Sequence, residues 1–307
     1  MSAPQATAAA ISPPWLDRAE YPFASHRATL AGGERIHYVD EGSGPALLFV
    51  HGTPTWSFEW RRLIRALSAT HRCVAPDHLG FGLSDRPPGS SYAPESHAGR
   101  LRELVEQLDL RDVTLVVHDF GGIIGLPLAV EDPGRVSRLV VINSWMWNLG
   151  DDAEVRRAGR IFGGAFGRFL YERLNVSLRA IMPAAYADRK RLTRAIHAQY
   201  LAPFADRRAR GLVLWPLARS LAHASPHSDR LWERRAALAG MPALIIWGTK
   251  DRALKPHHLD RWRTALPDAE VVTLEAGHWP HEEMPDAVCD VVSSFLAGSY
   301  PDPTSNS

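Results

Sequence analysis

Hydrophobic residues follow two patterns along this chain: short continuous runs, and longer segments with apolar positions three or four residues apart. The continuous runs predict strands that are buried on both faces, because a strand with one solvated face would alternate polar and apolar residues. These runs are residues 46–50, 72–76, 113–117, 136–142, 241–247 and 270–274. The periodic segments predict helices at about residues 95–108, 121–132, 256–265 and 284–296. Strands that alternate with helices imply a mostly parallel sheet with right-handed crossovers.

The order of these elements predicts one α/β core with an insertion. Residues 28–31 and 35–39 predict two short strands joined by Gly32-Gly33, a hairpin at the edge of the sheet. Residues 144–239 lack strand-like runs, and their apolar and aromatic residues recur at helical spacing. We therefore expect a core domain of residues 15–143 and 240–298, a helical cap of residues 144–239, and flexible termini at residues 1–14 and 299–307.

Composition and charge exclude several classes of partner. Of 307 residues, 45% are hydrophobic and 22% are charged, and the formal net charge is +1. A charge so close to zero gives no electrostatic reason to expect nucleic acid or an anionic membrane as a partner. No run reaches the roughly 18 to 20 apolar residues of a membrane span, and residues 1–14 do not resemble a signal peptide. Cys73 and Cys289 are too few for a disulfide framework, so we expect both to be buried in a protein of the reducing cytoplasm.

The turn that follows the run at residues 113–117 is the first candidate for chemistry. Asp119 stands between this strand and Gly121-Gly122, which open the next helix, so it occupies the tip of a sharp strand-to-helix turn. An Asp in this position often caps the helix by accepting backbone N–H bonds. A carboxylate at the carboxyl end of a buried strand can also attack an alkyl carbon and form an ester. The turn by itself leaves both roles open.

Other polar residues follow the ends of neighbouring predicted strands. Thr53, Asp119, Asp251 and His278 each come just after such a strand. Ligands bind at the carboxyl edge of a parallel sheet, where residues far apart in sequence meet. The order Asp119, Asp251, His278 is also the order of nucleophile, acid and histidine in hydrolases whose nucleophile is borne on a strand. The combination favours a catalytic site over separate structural roles.

Several motifs carry a resemblance to a known family. They are His51-Gly-Thr-Pro-Thr-Trp-Ser-Phe-Glu-Trp-Arg61, the loop of residues 77–85, His118-Asp-Phe-Gly-Gly122, Gly248-Thr-Lys-Asp251 and Gly277-His-Trp-Pro-His-Glu-Glu-Met-Pro285. Over residues 30–297 of the core they resemble the haloalkane dehalogenases of the α/β-hydrolase fold and, less closely, the epoxide hydrolases. The cap resembles the family in placement and helical character only. The resemblance implies an α/β-hydrolase fold, a mostly parallel central sheet flanked by helices with an inserted helical cap. We expect no cofactor and no metal site.

The resemblance also implies a role for each residue of the site. Asp119 would attack the substrate carbon and form an alkyl ester, and His278 would act as general base on the water that hydrolyses the ester. Asp251 would orient the His278 ring, and the backbone N–H groups of Thr53 and Phe120 would form the oxyanion hole. The expected reaction converts a small apolar halogenated substrate and water to an alcohol and a halide. The sequence indicates no oligomeric state.

The residues that would bind the leaving halide depart from the family pattern. Dehalogenases of this family usually carry Trp directly after the nucleophile, and its indole N–H binds the halide, whereas Phe120 has no donor. Part of the family has Asn after the His-Gly pair, where this chain has Thr53. In another branch a cap tryptophan is the donor, for which the candidates are Trp145, Trp147, Trp215 and Trp232. We expect a substrate and leaving-group pocket that includes Trp56, Trp145, Trp147, Phe162 and Phe166.

Three alternative functions remain open. An epoxide hydrolase needs acidic O–H donors from the cap, and Tyr171, Tyr186 and Tyr200 lie in that segment. A relative of the dehalogenases that cleaves β-lactones needs no halide donor, which agrees with Phe120. A ligand-binding protein derived from this fold is the alternative that is not an enzyme, and the complete Asp119, Asp251 and His278 set argues against it.

Overall fold

An eight-stranded sheet forms the centre of the computed structural model, which describes residues 12–132, 134–221 and 225–298. The strands are β1 His26–Thr29, β2 Arg35–Glu41, β3 Ala46–Val50, β4 Arg72–Pro76, β5 Val113–Asp119, β6 Val136–Ser144, β7 Ala243–Gly248 and β8 Glu270–Leu274. Their spatial order is β1-β2-β4-β3-β5-β6-β7-β8. β2 is antiparallel to β1 and β4, and the remaining pairs are parallel. The predictions of a mostly parallel sheet and of an edge hairpin are confirmed.

The predicted strands differ from the observed ones mainly at their ends. β1 begins at His26, before the predicted hairpin strand, and β7 begins at Ala243, directly after Pro242. β5 and β6 continue past their apolar runs to Asp119 and Ser144. The register between these two strands shifts at the step from His118 to Asp119. The apolar runs in the sequence therefore predicted where the strands lie, whereas hydrogen bonding to neighbouring strands determines the residue at which each strand ends.

Helices cover the sheet and build the cap. The α-helices are α1 Arg61–Leu67, α2 Pro94–Gln107, α3 Gly121–Glu131, α4 Ala153–Gly163, α5 Ala165–Phe169, α6 Met182–Ala185, α7 Arg194–Leu201, α8 Arg207–Ala209, α9 Trp215–Ser220, α10 Pro226–Glu233, α11 Pro256–Ala265, α12 Pro280–Glu283 and α13 Pro285–Leu296. Helices α4 to α10 lie between β6 and β7 with π-helical segments at Leu170–Leu174, Ser177–Ile181 and Arg210–Leu214. Short 3₁₀ helices span Ser57–Trp60, Leu149–Asp151, Ala202–Phe204 and Arg234–Leu238. The helix α1 and the 3₁₀ turn before it are elements that the apolar pattern did not indicate.

The central strand β5 brings the candidate turn to the middle of the molecule. β5 pairs with β3 on one side and β6 on the other, and every one of its residues is buried. Helix α3 follows directly and is buried on nearly all faces, with Gly125 in contact with Val117 and Val50. Close packing on all sides fixes the position of the β5 to α3 turn.

Two expectations concern residues away from the site. Among the predicted flexible termini, residues 1–11 and 299–307 lie outside the part of the chain that the structure describes. Cys73 on β4 is buried, whereas Cys289 on α13 is only partly buried, and both are free thiols. Within the described residues, no helix combines the length and the apolar character needed to cross a bilayer.

Candidate active site

Asp119 stands at the end of β5 in a backbone conformation that few residues adopt. Its φ is +51°, in the left-handed region, which costs on the order of 1–3 kcal/mol and persists only where the surroundings enforce it. A Cβ at Gly121 would collide with the Val50 carbonyl, and one at Gly122 would collide with the Ser144 hydroxyl. The turn is therefore a tight elbow that projects the Asp119 side chain past the sheet edge. The helix-cap alternative fails, because the hydrogen bonds described for the Asp119 carboxylate involve Thr53 and His278 and not the backbone of α3.

Two groups from other strands hold the Asp119 carboxylate. Oδ1 accepts a hydrogen bond from the backbone N–H of Thr53 at 2.8 Å, and Oδ2 lies 3.1 Å from Nε2 of His278. The N–H of Phe120, the second expected oxyanion donor, makes no hydrogen bond to this carboxylate in the described structure. The site therefore presents one formed oxyanion contact, from Thr53.

Asp251 holds the other side of the His278 ring. Its Oδ2 lies 2.7 Å from Nδ1 of His278, and its Oδ1 accepts the backbone N–H groups of Ala253 and Leu254 at 2.7 and 3.0 Å. The amide of Asn143 donates to Oδ2 of Asp251 at 2.6 Å. These bonds fix the carboxylate, which in turn fixes the tautomer and orientation of the imidazole.

Asn143 is a member of the site that the sequence analysis missed. It lies near the end of β6 with a φ of +35°, and its Oδ1 accepts the backbone N–H of Gly248 at 2.8 Å. Asn143 therefore connects the ends of β6 and β7 while it donates to Asp251. The available sequence signal was its place at the end of a predicted strand, beside the strands that carry Asp119 and Asp251.

The electrostatics of the three side chains are strongly coupled. Burial by itself would lower the pKa of His278, but the charge of Asp251 and the hydrogen bonds to Asp119 and Asp251 outweigh it and raise this pKa to about 10. Burial would raise the pKa of Asp251, yet the charge of His278 and its hydrogen bond keep it below the usual value. With Asp119 unmodified, His278 is thus an imidazolium between two carboxylates at neutral pH.

A mostly apolar cavity of about 360 Å³ opens above Asp119. Core residues at its base are Thr53, Asp119, Phe120, His278 and Trp279, and the cap contributes residues that include Leu149, Val155, Phe162, Tyr171, Ser177, Met182 and Leu214. This volume and lining suit a small apolar ligand. The carboxylate and imidazole are the ionisable groups at its base.

The structure separates the residues that were expected in the pocket. Trp145 and Phe162 line the cavity. Trp56 instead packs against Tyr21 and donates its indole N–H to the carbonyl of Gln199, and Trp147 packs against Trp262. Phe166 is 65% exposed on the cap surface. These last three residues lie outside the cavity lining, because Trp56 and Trp147 pack in the core and Phe166 lies at the surface. Tertiary packing determines these positions, and the sequence of single residues does not show it.

The candidate leaving-group donors expected from the sequence differ in whether they line the cavity. Of the cap tryptophans considered, Trp145 lines the cavity. Of the three tyrosines, only Tyr171 lines it, since Tyr186 stacks on Trp279 and Tyr200 donates to Glu282. Burial raises the pKa of Tyr171 to about 12, so its phenol keeps its proton at neutral pH. Trp145 and Tyr171 are the candidate leaving-group donors.

A buried cluster of Glu59, His118 and His281 lies beside His278. The His118 ring donates its Nε2–H to the backbone carbonyl of His278 at 2.9 Å, and its Nδ1 lies 3.4 Å from Oε2 of Glu59. Nε2 of His281 lies 3.8 Å from the same oxygen. The pKa of Glu59 is lowered despite its burial, because the charge of His118 stabilises the carboxylate. In the described chain this cluster and a second one, Asp152 with His257 and His258, have the close spacing of potential metal ligands.

Comparison with known proteins agrees with this fold. Residues 45–285 match the family described as the alpha/beta hydrolase fold. Haloalkane dehalogenase 2 of Mycobacterium bovis is 37% identical over 275 residues, which cover 89% of this chain and 94% of that protein. A cis-3-alkyl-4-alkyloxetan-2-one decarboxylase of Shewanella oneidensis is 33% identical over 288 residues, covering 90% and 89% of the two chains. The crystal structure of haloalkane dehalogenase DbeA from Bradyrhizobium elkani has a TM-score of 0.81 at 27% identity, covering 90% of this chain and 98% of that one.

The sheet order, the elbow and the cap together define an α/β-hydrolase. Within that fold, the chain belongs to the haloalkane dehalogenase family, with oxetanone decarboxylases among its relatives. The predictions of the fold, of the family and of a dehalogenase-like hydrolase are therefore confirmed.

Proposed function

We propose that this hydrolase cleaves the bond between carbon and a leaving group in a small apolar substrate through a covalent ester of Asp119. The favoured reaction is the conversion of a haloalkane and water to an alcohol, a halide and a proton. The observation that carries this proposal is the 3.1 Å approach of His278 Nε2 to Asp119 Oδ2 at the base of an apolar cavity.

In the first step Oδ2 of Asp119 attacks the substrate carbon, and the halide departs with the bonding electrons. Oδ1 stays on the Thr53 N–H, which supports this assignment of the two oxygens. No base is required, since the nucleophile is already an anion. The departing halide needs donors on the far side of the carbon, and among the cavity residues that carry donors we assign this role to Trp145 and Tyr171.

In the second step water attacks the carbonyl carbon of the Asp119 ester, and His278 takes a proton from it. The negative charge that develops on Oδ1 is stabilised by the Thr53 N–H. Collapse releases the alcohol, which takes up the proton from His278, and the regenerated carboxylic acid loses its proton. Formation of the ester removes the negative charge of Asp119, so the pKa of His278 falls and the ring can act as a base.

A second candidate reaction is the opening of a β-lactone, favoured by the absence of a donor on Phe120. Asp119 would attack the ring carbon that bears oxygen, which frees the lactone carboxylate. Loss of CO2 then supplies the electrons for a carbon–carbon double bond as the Asp119 ester breaks. The relatives from Shewanella oneidensis and Xanthomonas campestris are named as decarboxylases of such rings.

Mass spectrometry of a His278→Gln variant tests the covalent step of the favoured reaction. Incubated with a bromoalkane, this variant should accumulate an adduct on Asp119, because alkylation proceeds while hydrolysis is blocked. The Asp119→Asn, His278→Gln double variant is the matched control and should stay unmodified. Absence of an adduct in the His278→Gln protein with every haloalkane that the wild type consumes would refute the favoured reaction.

The product identifies the leaving group. Bromide and alcohol from a bromoalkane support the favoured reaction, and alkene with CO2 from a cis-disubstituted β-lactone supports the second. A diol from an epoxide would point to an epoxide hydrolase, for which the described cavity offers a single tyrosine, Tyr171. Binding of apolar ligands with turnover of none of these substrates would instead favour a binding protein.

A further inference from the structure

A second group of convergent side chains lies where the first helix of the cap meets the core. Asp152 precedes α4 in the cap, and His257 and His258 are in the first turn of α11 in the core. Oδ2 of Asp152 lies 2.9 Å from Nε2 of His257 and 3.7 Å from Nε2 of His258. The three atoms lie within 4.8 Å of one another. Two imidazole nitrogens and one carboxylate oxygen thus converge from two parts of the fold.

The surroundings hold these atoms in place. Oδ1 of Asp152 accepts the backbone N–H groups of Glu154 and Val155 at 2.8 and 3.3 Å, which directs Oδ2 towards α11. The His258 ring stacks on Trp147 with an angle of 20° between the planes. His258 is 3% exposed, and among the described residues its Nε2 has no hydrogen-bond partner. Buried polar atoms without a partner are uncommon in folded proteins and indicate a missing ligand, water or ion.

We propose that Asp152, His257 and His258 bind a divalent transition metal ion, with Zn²⁺ as the best match. Imidazole nitrogen and carboxylate oxygen are common zinc ligands, and bond lengths of about 2.0–2.2 Å place neighbouring ligand atoms roughly 3.4 Å apart around a tetrahedral ion. The observed separations of 2.9 and 3.7 Å lie on either side of that value. The exposed side chain of His257 leaves a path for the ion and room for water as the fourth ligand.

The charges around the site are balanced. Asp151 and Glu154 add negative charge nearby, and the cations Arg261 and Lys255 face these two carboxylates at 3.9 and 2.5 Å. No metal site is expected from the sequence, because His257 and His258 lie more than a hundred positions from Asp152 and their proximity to it is not apparent there.

Such an ion would link the cap to the core at the rim of the cavity, which Asp152 and Lys255 help to line. The proposed metal site does not include Asp119, Asp251 or His278. The proposal of metal binding therefore does not depend on the proposed reaction.

Titration of the full-length protein, without an added histidine tag, with ZnCl₂ tests the site by calorimetry and by thermal unfolding. We expect the wild type to bind one Zn²⁺ and to unfold at a higher temperature when loaded, because the ion binds the folded state. His257→Gln removes an exposed ligand, and Asp152→Asn keeps an oxygen that can cap α4 while it removes the charge. Each should weaken binding at least about 10-fold, which corresponds to ~1.4 kcal/mol.

His71→Gln is the matched control, since His71 is a partly exposed histidine directly before β4 and outside this cluster. It should bind Zn²⁺ as the wild type does. With Co²⁺ in place of Zn²⁺, the wild type should show the visible absorption of a tetrahedral site and His257→Gln should not. Equal affinity of wild type, His257→Gln and Asp152→Asn for Zn²⁺, or no binding by the wild type, would overturn the proposal.

Discussion

Asp119 ends strand β5 and His278 lies in the loop after β8, yet Nε2 of His278 is 3.1 Å from Oδ2 of Asp119. The opposite ring nitrogen is 2.7 Å from Asp251, so the imidazole is enclosed by two carboxylates. This arrangement stabilises the imidazolium, whereas the proposed second step needs the neutral ring. Alkylation of Asp119 resolves the conflict, because it removes one of the two charges.

The first prediction concerns the pH dependence of stability. The pKa of His278 is raised from 6.5 to about 10 in the folded protein. A group whose pKa is raised on folding contributes stability that is fully present below about pH 6.5 and is lost as the pH rises through about 10. The free energy of unfolding of the wild type, relative to His278→Asn, should therefore decline over this range. A difference that stays constant from pH 6 to pH 10 would contradict the raised pKa.

The same coupling predicts how the covalent ester responds to pH. In rapid-quench experiments with a bromoalkane, ester hydrolysis should be slowest at low pH, where the His278 ring stays protonated. Ester should therefore accumulate near pH 6 and fall as the pH rises. An ester lifetime independent of pH would show that His278 is not the base.

Asn143 is predicted to position Asp251 and not to take part in the chemistry. Asn143→Ala removes the donor to Asp251 and the acceptor for the Gly248 N–H. A hydrogen bond to a charged group contributes ~1.5–3 kcal/mol, so we expect kcat to fall roughly 10- to 100-fold with little change in KM. The apparent pKa of ester hydrolysis should also shift, which a purely structural role would not produce. Asn143→Gln, which keeps the amide on a longer side chain, should restore part of the rate.

Gly52 is predicted to tolerate no side chain. A Cβ at this position would collide with the Asp119 carboxylate, and a displacement of a reacting group by about 1 Å can cost about 10²-fold in rate. Gly52→Ala should reduce kcat/KM by at least that factor. Gly99→Ala is the control, because a Cβ at Gly99 on α2 meets open space and should leave activity unchanged. Full activity of Gly52→Ala would mean that the carboxylate is placed differently in solution.

Tyr171 is predicted to assist the departure of the leaving group. Tyr171→Phe removes one O–H donor from the cavity, and the loss of a donor to developing charge costs about 10²-fold or more. We expect kcat/KM for haloalkanes to fall about 10²-fold, and to fall further for chloroalkanes than for bromoalkanes. Tyr186→Phe is the matched control, since the Tyr186 hydroxyl is buried outside the cavity without a hydrogen-bond partner in the described structure. Similar losses in both variants would assign the effect to packing.

Glu59 is predicted to support the fold through its charge. Glu59→Gln removes the buried carboxylate that lies 3.4 Å from His118 and 3.8 Å from His281, and leaving buried polar groups without their partner costs roughly 1–3 kcal/mol of unfolding free energy. The pKa of Glu59 is lowered on folding, so its contribution is present above about pH 4.5 and is lost as the pH falls below it. Chemical denaturation at pH 7 and pH 4 measures both effects. The exposed Glu275→Gln should change stability by less than about 0.5 kcal/mol.

The sequence by itself determined the order of the core and the identity of its reactive groups. Buried strands leave continuous apolar runs, and parallel strands bring their carboxyl ends to one edge, so Asp119, Asp251 and His278 could be expected to meet. The glycines after Asp119 also indicated the tight turn, because only a residue without a Cβ allows that approach of helix and strand.

The tertiary structure alone decided which cap and loop residues face the cavity. Trp145 and Trp147 are two positions apart, yet Trp145 lines the cavity and Trp147 packs on Trp262. Of two cap tyrosines, Tyr171 lines the cavity, whereas Tyr186 stacks on Trp279. These choices depend on the angles between short helices and on contacts between distant segments. The roles of Asn143 and of the Asp152 cluster could not be predicted from the sequence for the same reason. Each depends on contact with a residue more than a hundred positions away.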